Sequence, residues 1–500
     1  MPLWHARAQW YIIGCMESIK ARGSRQPAAA PAAAAALLWY ATTAVILAST
    51  LAIYYRFGRI GLKAVVQAGP ISDITFTFFS VAVAWLLLGA FLSLLAGNRI
   101  HSGNVVTVAC FFLVSLFYVN FVRERVNYGD ITDYIRAASN LVAGSHLNPR
   151  YLYPPLWATL LKPLVPLGER TVFDVCWLLN LLSVFAFFIL LHHTLKRYGF
   201  APRLAAITAA LFMLGNVAIM RTLCYVQVNL HVMNLILLSL LVYPRSAFVS
   251  AAALSVAVHL KMSPIILVLA FLLQKDWRWF AWFILSMFLI ANATIVSNGV
   301  YPYRDFIVNA QRLYADGEPF FREYSINSLF RALFQVLSIN QAPVRYLVGF
   351  VTLMAASAAL VVVASNARRR TFYMEMPKGE TVYNAAPGLV VLMMLAAPLI
   401  WEHHGVFLAL PFLVLLKRLS SAGEWLAYGS AYAAIFLVPT FDFFPWSYAR
   451  LAALFVWLWL AWSVPRKADA STLFTKANVW LESAPQRPVK RPGPMSLSGE

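Results

Sequence analysis

The stretch TVFDVCWLLNLLSVFAFFILLHHTL, Thr171–Leu195, holds a single acid, Asp174, and no Lys or Arg until Lys196 and Arg197. At about 1.5 Å of rise per residue, a helix of roughly 20 apolar residues crosses a hydrocarbon layer of about 30 Å. The run therefore reads as a transmembrane helix. Runs of similar character recur at residues 35–54, 74–96, 105–122, 204–220, 228–242, 247–259, 264–273, 279–296, 344–365, 383–400, 406–416, 425–438 and 448–464. Together they predict an all-α polytopic membrane protein with about 14 spans. Composition agrees: of 500 residues, 61% are hydrophobic and 12% charged, whereas soluble domains carry about a quarter charged residues.

The net charge of +20 does not point to nucleic acid, because the basic residues gather in short clusters between apolar runs. Lys20/Arg22/Arg25, Arg99, Lys196/Arg197/Arg203, Arg245, Lys275/Arg278, Arg368/Arg369/Arg370, Lys417/Arg418 and Arg466/Lys467 fall on alternate gaps, the pattern of cytoplasmic loops. Arg56, Arg59 and Lys63 break this alternation. Four domains follow: a basic, Ala/Pro-rich cytoplasmic tail over 1–34, two additional N-terminal helices in 35–104, a catalytic membrane module over 105–464 and a disordered cytoplasmic tail over 465–500. Two long polar intervals, 123–170 and 297–342, then lie on the outer face, and the few acids concentrate there. The scattered Cys15, Cys110, Cys176 and Cys224 predict neither a disulfide framework nor a zinc site.

In the first outer interval, Tyr128-Gly129-Asp130-Ile131-Thr132-Asp133-Tyr134 opens an amphipathic helix that ends near Gly144. Either acid serves as a helix cap, or one of them, partly desolvated at the membrane face, accepts a proton from an attacking hydroxyl. Tyr151-Leu152-Tyr153-Pro154-Pro155-Leu156-Trp157 follows, a proline corner leading into a short apolar helix along the interface. Further on, Gln227 and Asn229 sit at the entry to a span, where amides either bond between helices or meet substrate. Lys261 lies in the break His259-Leu260-Lys261-Met262-Ser263-Pro264; a lysine at membrane depth either snorkels or pairs with a lipid phosphate. Trp401-Glu402-His403-His404 presents three polar side chains after the apolar run ending at Ile400. Neighbouring histidines lack a third metal ligand, and imidazole donors on a phosphate suit them better. Asn327, in Tyr324-Ser325-Ile326-Asn327-Ser328, is a polar candidate in the second outer interval.

Asp130-x-x-x-Tyr134-x-x-Ala137-Ala138, Tyr151–Leu156, Trp177–Asn180, Gln227-x-Asn229, Lys261-x-x-Pro264 and Pro398-x-x-Trp401-x-His403-His404 together resemble the polyprenol-phosphate-mannose-dependent α-1,2-mannosyltransferase-like family, of GT87 type within the GT-C superfamily. The resemblance spans residues 105–416 and departs at Val226, where the family has glycine, and at Ala397, where it has serine. It implies a GT-C-like bundle with juxtamembrane helices in the first outer loop, and it places the catalytic base at Asp130 rather than Asp133. Lys261, His403, His404, Glu402, Gln227, Asn229, Tyr153 and Asn327 become the donor-phosphate and substrate-binding residues.

The activity so implied is inverting transfer of a sugar, mannose first, from a polyprenyl phosphate to a hydroxyl of a glycolipid or glycan at the outer face. A polyprenyl-phosphate arabinose donor is the alternative within this architecture. A secondary transporter or lipid flippase is the alternative outside it, disfavoured because the halves show no internal repeat and the acids lie in outer loops. No cofactor is required beyond the lipid-linked sugar donor; a divalent metal is compatible with the chemistry but unnecessary. The expected setting is a bacterial inner membrane, with both termini cytoplasmic, the site periplasmic, the bilayer and the two substrates as partners, and a monomeric state.

Overall fold

The computed structural model describes residues 41, 44, 45, 48, 104–122, 129–316, 323–338, 344–367, 379–419, 421–437 and 448–463. By its internal contacts the chain divides into residues 1–101 and 102–500, and the elements below belong to the second unit. The tails over 1–34 and 465–500 lie outside the described residues, as do the two additional N-terminal spans apart from isolated positions at 41–48.

Among the described residues the regular structure is helical, with 17 α-helices, a few 3-10 and π turns, and one isolated bridge between Glu323 and Trp401. In chain order, α1 is Val105–Val122, α2 Gly129–Val142, α3 Leu156–Leu161, α4 Glu169–Arg197, α5 Pro202–Met213 and α6 Val217–Cys224. Next come α7 Asn229–Val242, α8 Ala247–Leu260, α9 Val268–Leu273, α10 Trp277–Asn298 and α11 Tyr301–Asp316. The last six are α12 Ile326–Val336, α13 Val344–Ala367, α14 Glu380–Leu395, α15 Ala409–Leu415, α16 Ala422–Tyr432 and α17 Ala449–Ser463.

Helix starts follow local chemistry. Asn216, Ser246, Asp276, Ser325 and Ser421 each accept a backbone N–H with the side chain at the N-terminus of α6, α8, α10, α12 and α16. Pro202 opens α5, and Pro155 precedes α3 as expected from the tandem prolines.

Among the described residues, three helices are long and apolar enough to cross a membrane: α4, α10 and residues 346–367 of α13. The α5–α6 pair is a fourth if counted as one span bent by 59°. The expected single run over 204–220 is thus a broken one, and the break at Leu214-Gly215-Asn216 has Gly215 at φ 69° with the Asn216 cap restarting the helix. The other apolar helical segments described, counted with the 3-10 turns that adjoin them, have 10–17 residues. These apolar helices mark a membrane protein.

The polar segments segregate to the two ends of the long helices. At one end, Lys162 Nζ donates to Ser297 O and Asn298 Oδ1, both at 3.0 Å, and Asn298 Nδ2 donates to Thr159 Oγ1 at 2.9 Å. On the same side α11 clamps the first polar interval: Asp305 accepts from Leu147 N at 2.8 Å, and Asn309 Nδ2 donates to Asn148 O at 3.0 Å. The two long intervals therefore share a face. At the other end, Lys417 Nζ donates to Tyr198 O at 2.6 Å and Tyr243 OH to Asp276 Oδ2 at 2.8 Å, joining gaps that the charge pattern grouped together. The 22 residues of α10 separate these layers by about 33 Å, close to one hydrocarbon thickness.

The centre of the bundle is α14, buried at every position from Val382 to Leu395. Pro387 lies inside it and has no N–H to give the carbonyl of Tyr383 four residues earlier. Tyr198 OH donates to that carbonyl at 2.8 Å. Beside the proline, Gly388 admits α13 so closely that a Cβ would stand 2.6 Å from Val363 Cγ2.

Tyr198→Phe leaves a buried carbonyl without this donor, so the expected loss of stability is about 1–3 kcal/mol. In a Pro387→Ala background the helix supplies its own N–H, and the same substitution should cost clearly less. Thermal unfolding of the four proteins in detergent measures the difference.

Candidate active site

The cluster forms where five non-contiguous segments meet at the end of the bundle that holds both long polar intervals. Helix α2 begins at Gly129, so Asp130 lies in its first turn, and the helix ends at Val142 with Gly144 at φ 65°, as its pattern predicts. Asp133 accepts from Asn148 Nδ2 at 2.9 Å, while Asp130 Oδ2 accepts from Gln227 Nε2.

Gln227 is delivered by the C-terminus of α6. Gln227 N bonds back to Thr222 O at 2.9 Å and Val226 N to Leu223 O at 3.1 Å, the two bonds of a Schellman turn. The residue between cap and turn is Val226, at φ 52°. That left-handed position favours glycine, and it is the position where the family pattern has one. Gln227 Oε1 accepts from Tyr134 OH at 2.7 Å and Tyr153 OH at 2.9 Å. Tyr134 and Tyr153 also meet edge to face, with centroids 5.2 Å apart.

Lys261 follows α8 in extended backbone before the 3-10 turn that Pro264 opens. Its ammonium donates to Asn229 Oδ1 at 2.9 Å, lies 5.6 Å above the Tyr153 ring and 5.7 Å from that of Phe407, and meets His404 Nε2 at 2.6 Å. Trp401 N donates to His404 Nδ1 at 3.0 Å, which leaves the proton of a neutral imidazole on Nε2. That Nε2–H donates to the Lys261 nitrogen when the lysine is an amine and opposes it when it is an ammonium. A phosphate oxygen, which only accepts, would satisfy both.

The backbone of this motif is pinned from α6 and α7: Thr222 Oγ1 and Asn229 Nδ2 donate to His403 O at 3.2 and 3.4 Å. Tyr324 N donates to Ile400 O at 2.9 Å, so the second polar interval ties in beside it. His403 stacks on Trp401, with ring centroids 6.4 Å apart, and meets Tyr225 edge to face at 5.9 Å. Glu402 is buried between two guanidinium groups, with Arg221 Nε at 2.9 Å and Arg450 Nη1 at 3.3 Å.

Burial pushes the Asp130 carboxyl above its ordinary value, with the Asp133 charge adding to the rise, while the Gln227 amide and the Lys261 charge pull it back. Glu323, at the bridge to Trp401, is pushed up to about 7 by burial, against its hydrogen bond from Ser325.

Of the residues singled out in the sequence, Asp130, Gln227, Tyr153, Asn229, Lys261, His403 and His404 come together. Glu402 adjoins them, but its carboxylate is engaged by arginines. Asn327 stands apart on α12, where its Oδ1 accepts from Arg331 Nε at 3.0 Å. Tyr134, Tyr225, Arg221 and Arg450 were not among the candidates; Tyr134 alone carried a signal, four residues after Asp130 on the same helix face.

Residues 151–376 match the family model described as Glycosyltransferase family 87. The match covers Tyr153, Gln227, Asn229 and Lys261, lies between Asp130 and the Trp401–His404 motif, and supports a sugar transferase. No curated protein matches the chain.

Two substitutions test how the site is held. Val226→Gly loses a buried side chain worth about 1.5–3 kcal/mol but relieves about 1–2 kcal/mol of left-handed strain. Its net cost in thermal unfolding should be below about 2 kcal/mol. Glu402→Gln leaves Arg450, only 3% exposed, facing a neutral partner, and should cost about 3–5 kcal/mol by the same measurement.

Proposed function

We propose that the protein is an inverting, GT-C-like glycosyltransferase of about 14 spans that moves mannose from a polyprenyl-phosphate donor to a hydroxyl of a glycolipid or glycan acceptor. The observation that carries this reading is the convergence of a hydrogen-bonded carboxylate, Asp130, with the contacting Lys261 and His404 nitrogens at one end of membrane-crossing helices. The family match supports the transferase class. Basic residues at the opposite end support an extracytoplasmic site, and the membrane in this reading is a bacterial inner membrane.

In this mechanism the polyprenyl tail lies between helices and its phosphate is held by Lys261 and His404. The acceptor hydroxyl gives its proton to Asp130 as its oxygen bonds to the anomeric carbon. The bond from that carbon to the phosphate oxygen breaks, and the electron pair leaves with the polyprenyl phosphate, whose developing charge meets the ammonium and the Nε2–H. Attack opposite the phosphate inverts the centre, so a β-linked donor yields an α-linked product. Tyr153 forms a wall below the Lys261 ammonium, and Asn229 orients that group. No metal is needed for this sequence of steps.

The test is transfer of labelled mannose from synthetic polyprenyl-phosphate mannose to a panel of mannosides, in lipid nanodiscs. Asp130→Asn should lower kcat by about 10²–10⁴-fold while leaving donor binding intact. A wild type that binds the lipid but transfers only arabinose from the corresponding donor would replace the sugar; one that binds no polyprenyl phosphate would remove the transferase reading.

The active form carries Asp130 ionised, so activity should rise with pH through the Asp130 titration and fall as the carboxyl is protonated. Because burial raises that carboxyl, the acid limb of the kcat/KM profile should lie higher than for an unburied aspartate.

A further inference from the structure

We propose that Gln227 is a positioning residue for the base: it holds one oxygen of Asp130 and thereby presents the other to the acceptor hydroxyl, its own amide being locked by Tyr134 and Tyr153. The assignment rests on the transferase reading for its consequence, but the geometry stands independently. An ionised carboxylate only accepts hydrogen bonds, so the amide nitrogen must face Asp130. The amide oxygen then faces the two phenols, each of which has a proton to give. Rotation of the amide by half a turn would let its NH₂ donate to the phenol oxygens but would set its own oxygen against the carboxylate. One orientation survives.

Gln227 is 2% exposed. Its Oε1 takes two donors and its Nε2 engages Asp130, which leaves little capacity for a sugar or phosphate. The arrangement has the form of an oriented base: a carboxylate held by an amide, itself held by two hydroxyls. The Schellman turn at Val226 explains how a residue from another helix reaches Asp130 across 97 positions of sequence. The groups that bear on Asp130 are Asp133 and Tyr134 on its own helix, Tyr153 from the proline corner and Lys261 from the break after α8. Only the Gln227 contact is a hydrogen bond to its carboxylate among them.

The substitutions are Gln227→Met, which keeps the length of the side chain, and the double change Tyr134→Phe with Tyr153→Phe, which keeps both rings. Infrared difference titration of the Asp130 carboxyl, assigned by subtracting Asp130→Asn, reads the base without any need for turnover. Its midpoint should move up in Gln227→Met, because a donor to the charged form is lost, and move the same way by less in the double variant. The acid limb of the rate profile should follow the midpoint. Expected kinetics are a kcat reduced about 10–100-fold, with binding of synthetic polyprenyl phosphate changed less than about threefold. Combining all three substitutions should give no further loss beyond Gln227→Met, since the phenols act through the amide.

An unmoved midpoint overturns the proposal. Additive losses, or a weakened lipid affinity with unchanged kcat, make Gln227 a substrate contact and overturn it equally. If the midpoint moves but wild type transfers no sugar from any polyprenyl phosphate, the positioning role holds and the transferase reading fails.

Discussion

A charged ammonium at the end of a hydrophobic bundle is costly unless lone pairs are brought to it. Lys261 is placed at such an end, and what surrounds it follows from that constraint. Asn229 supplies an oxygen, Tyr153 and Phe407 supply ring faces, and the Asp130 charge lies near enough to be felt. His404 brings a proton on Nε2, since Trp401 takes the lone pair on Nδ1, and that proton suits Lys261 as an amine and opposes it as an ammonium. In its charged form the lysine is thus stabilised on several sides and opposed on one, and the opposed side is where an anion gains most.

The same constraint explains the helix breaks. A straight span would bury the polar backbone and carry Lys261 past the cluster. The chain instead ends α8 at Leu260, runs through extended backbone at Lys261 and restarts at the proline. The α5–α6 bend and the Schellman turn at Val226 similarly bring a helix end, with its Gln227 and Asn229, to the same place. Irregular backbone at such a depth is tolerated where protein surrounds it, and each break here is satisfied by its own turn bonds. Away from the cluster, the Pro387 gap in α14 is closed by the Tyr198 hydroxyl under the same rule.

Glu402 and Asn327 show what a polar residue in a promising motif becomes when a neighbour claims it. Glu402 belongs to the Trp401–His404 turn, yet Arg221 and Arg450 hold its two oxygens, so its charge fixes the turn instead of facing the cluster. Asn327 follows the helix cap Ser325, which orients α12 and directs the amide to Arg331 one turn later.

Much was decided locally and was legible in the residues alone. A membrane crossing is a property of some 20 consecutive side chains, so Thr171–Leu195 announced α4, and the polar intervals announced the segments that share one face. The α2 helix was readable from an amphipathic pattern with a glycine at its end. Motif residues could be named because rare polar groups stand out against an apolar background. Partnership could not be read in this way. Gln227 meets Asp130 across 97 residues and Lys261 meets His404 across 143, and no local period encodes such distances. Which amide holds the carboxylate, which histidine faces the ammonium and which acid is consumed by arginines depend on how helix ends are docked. That docking is set by side-chain packing throughout the bundle, so only the tertiary structure decides it.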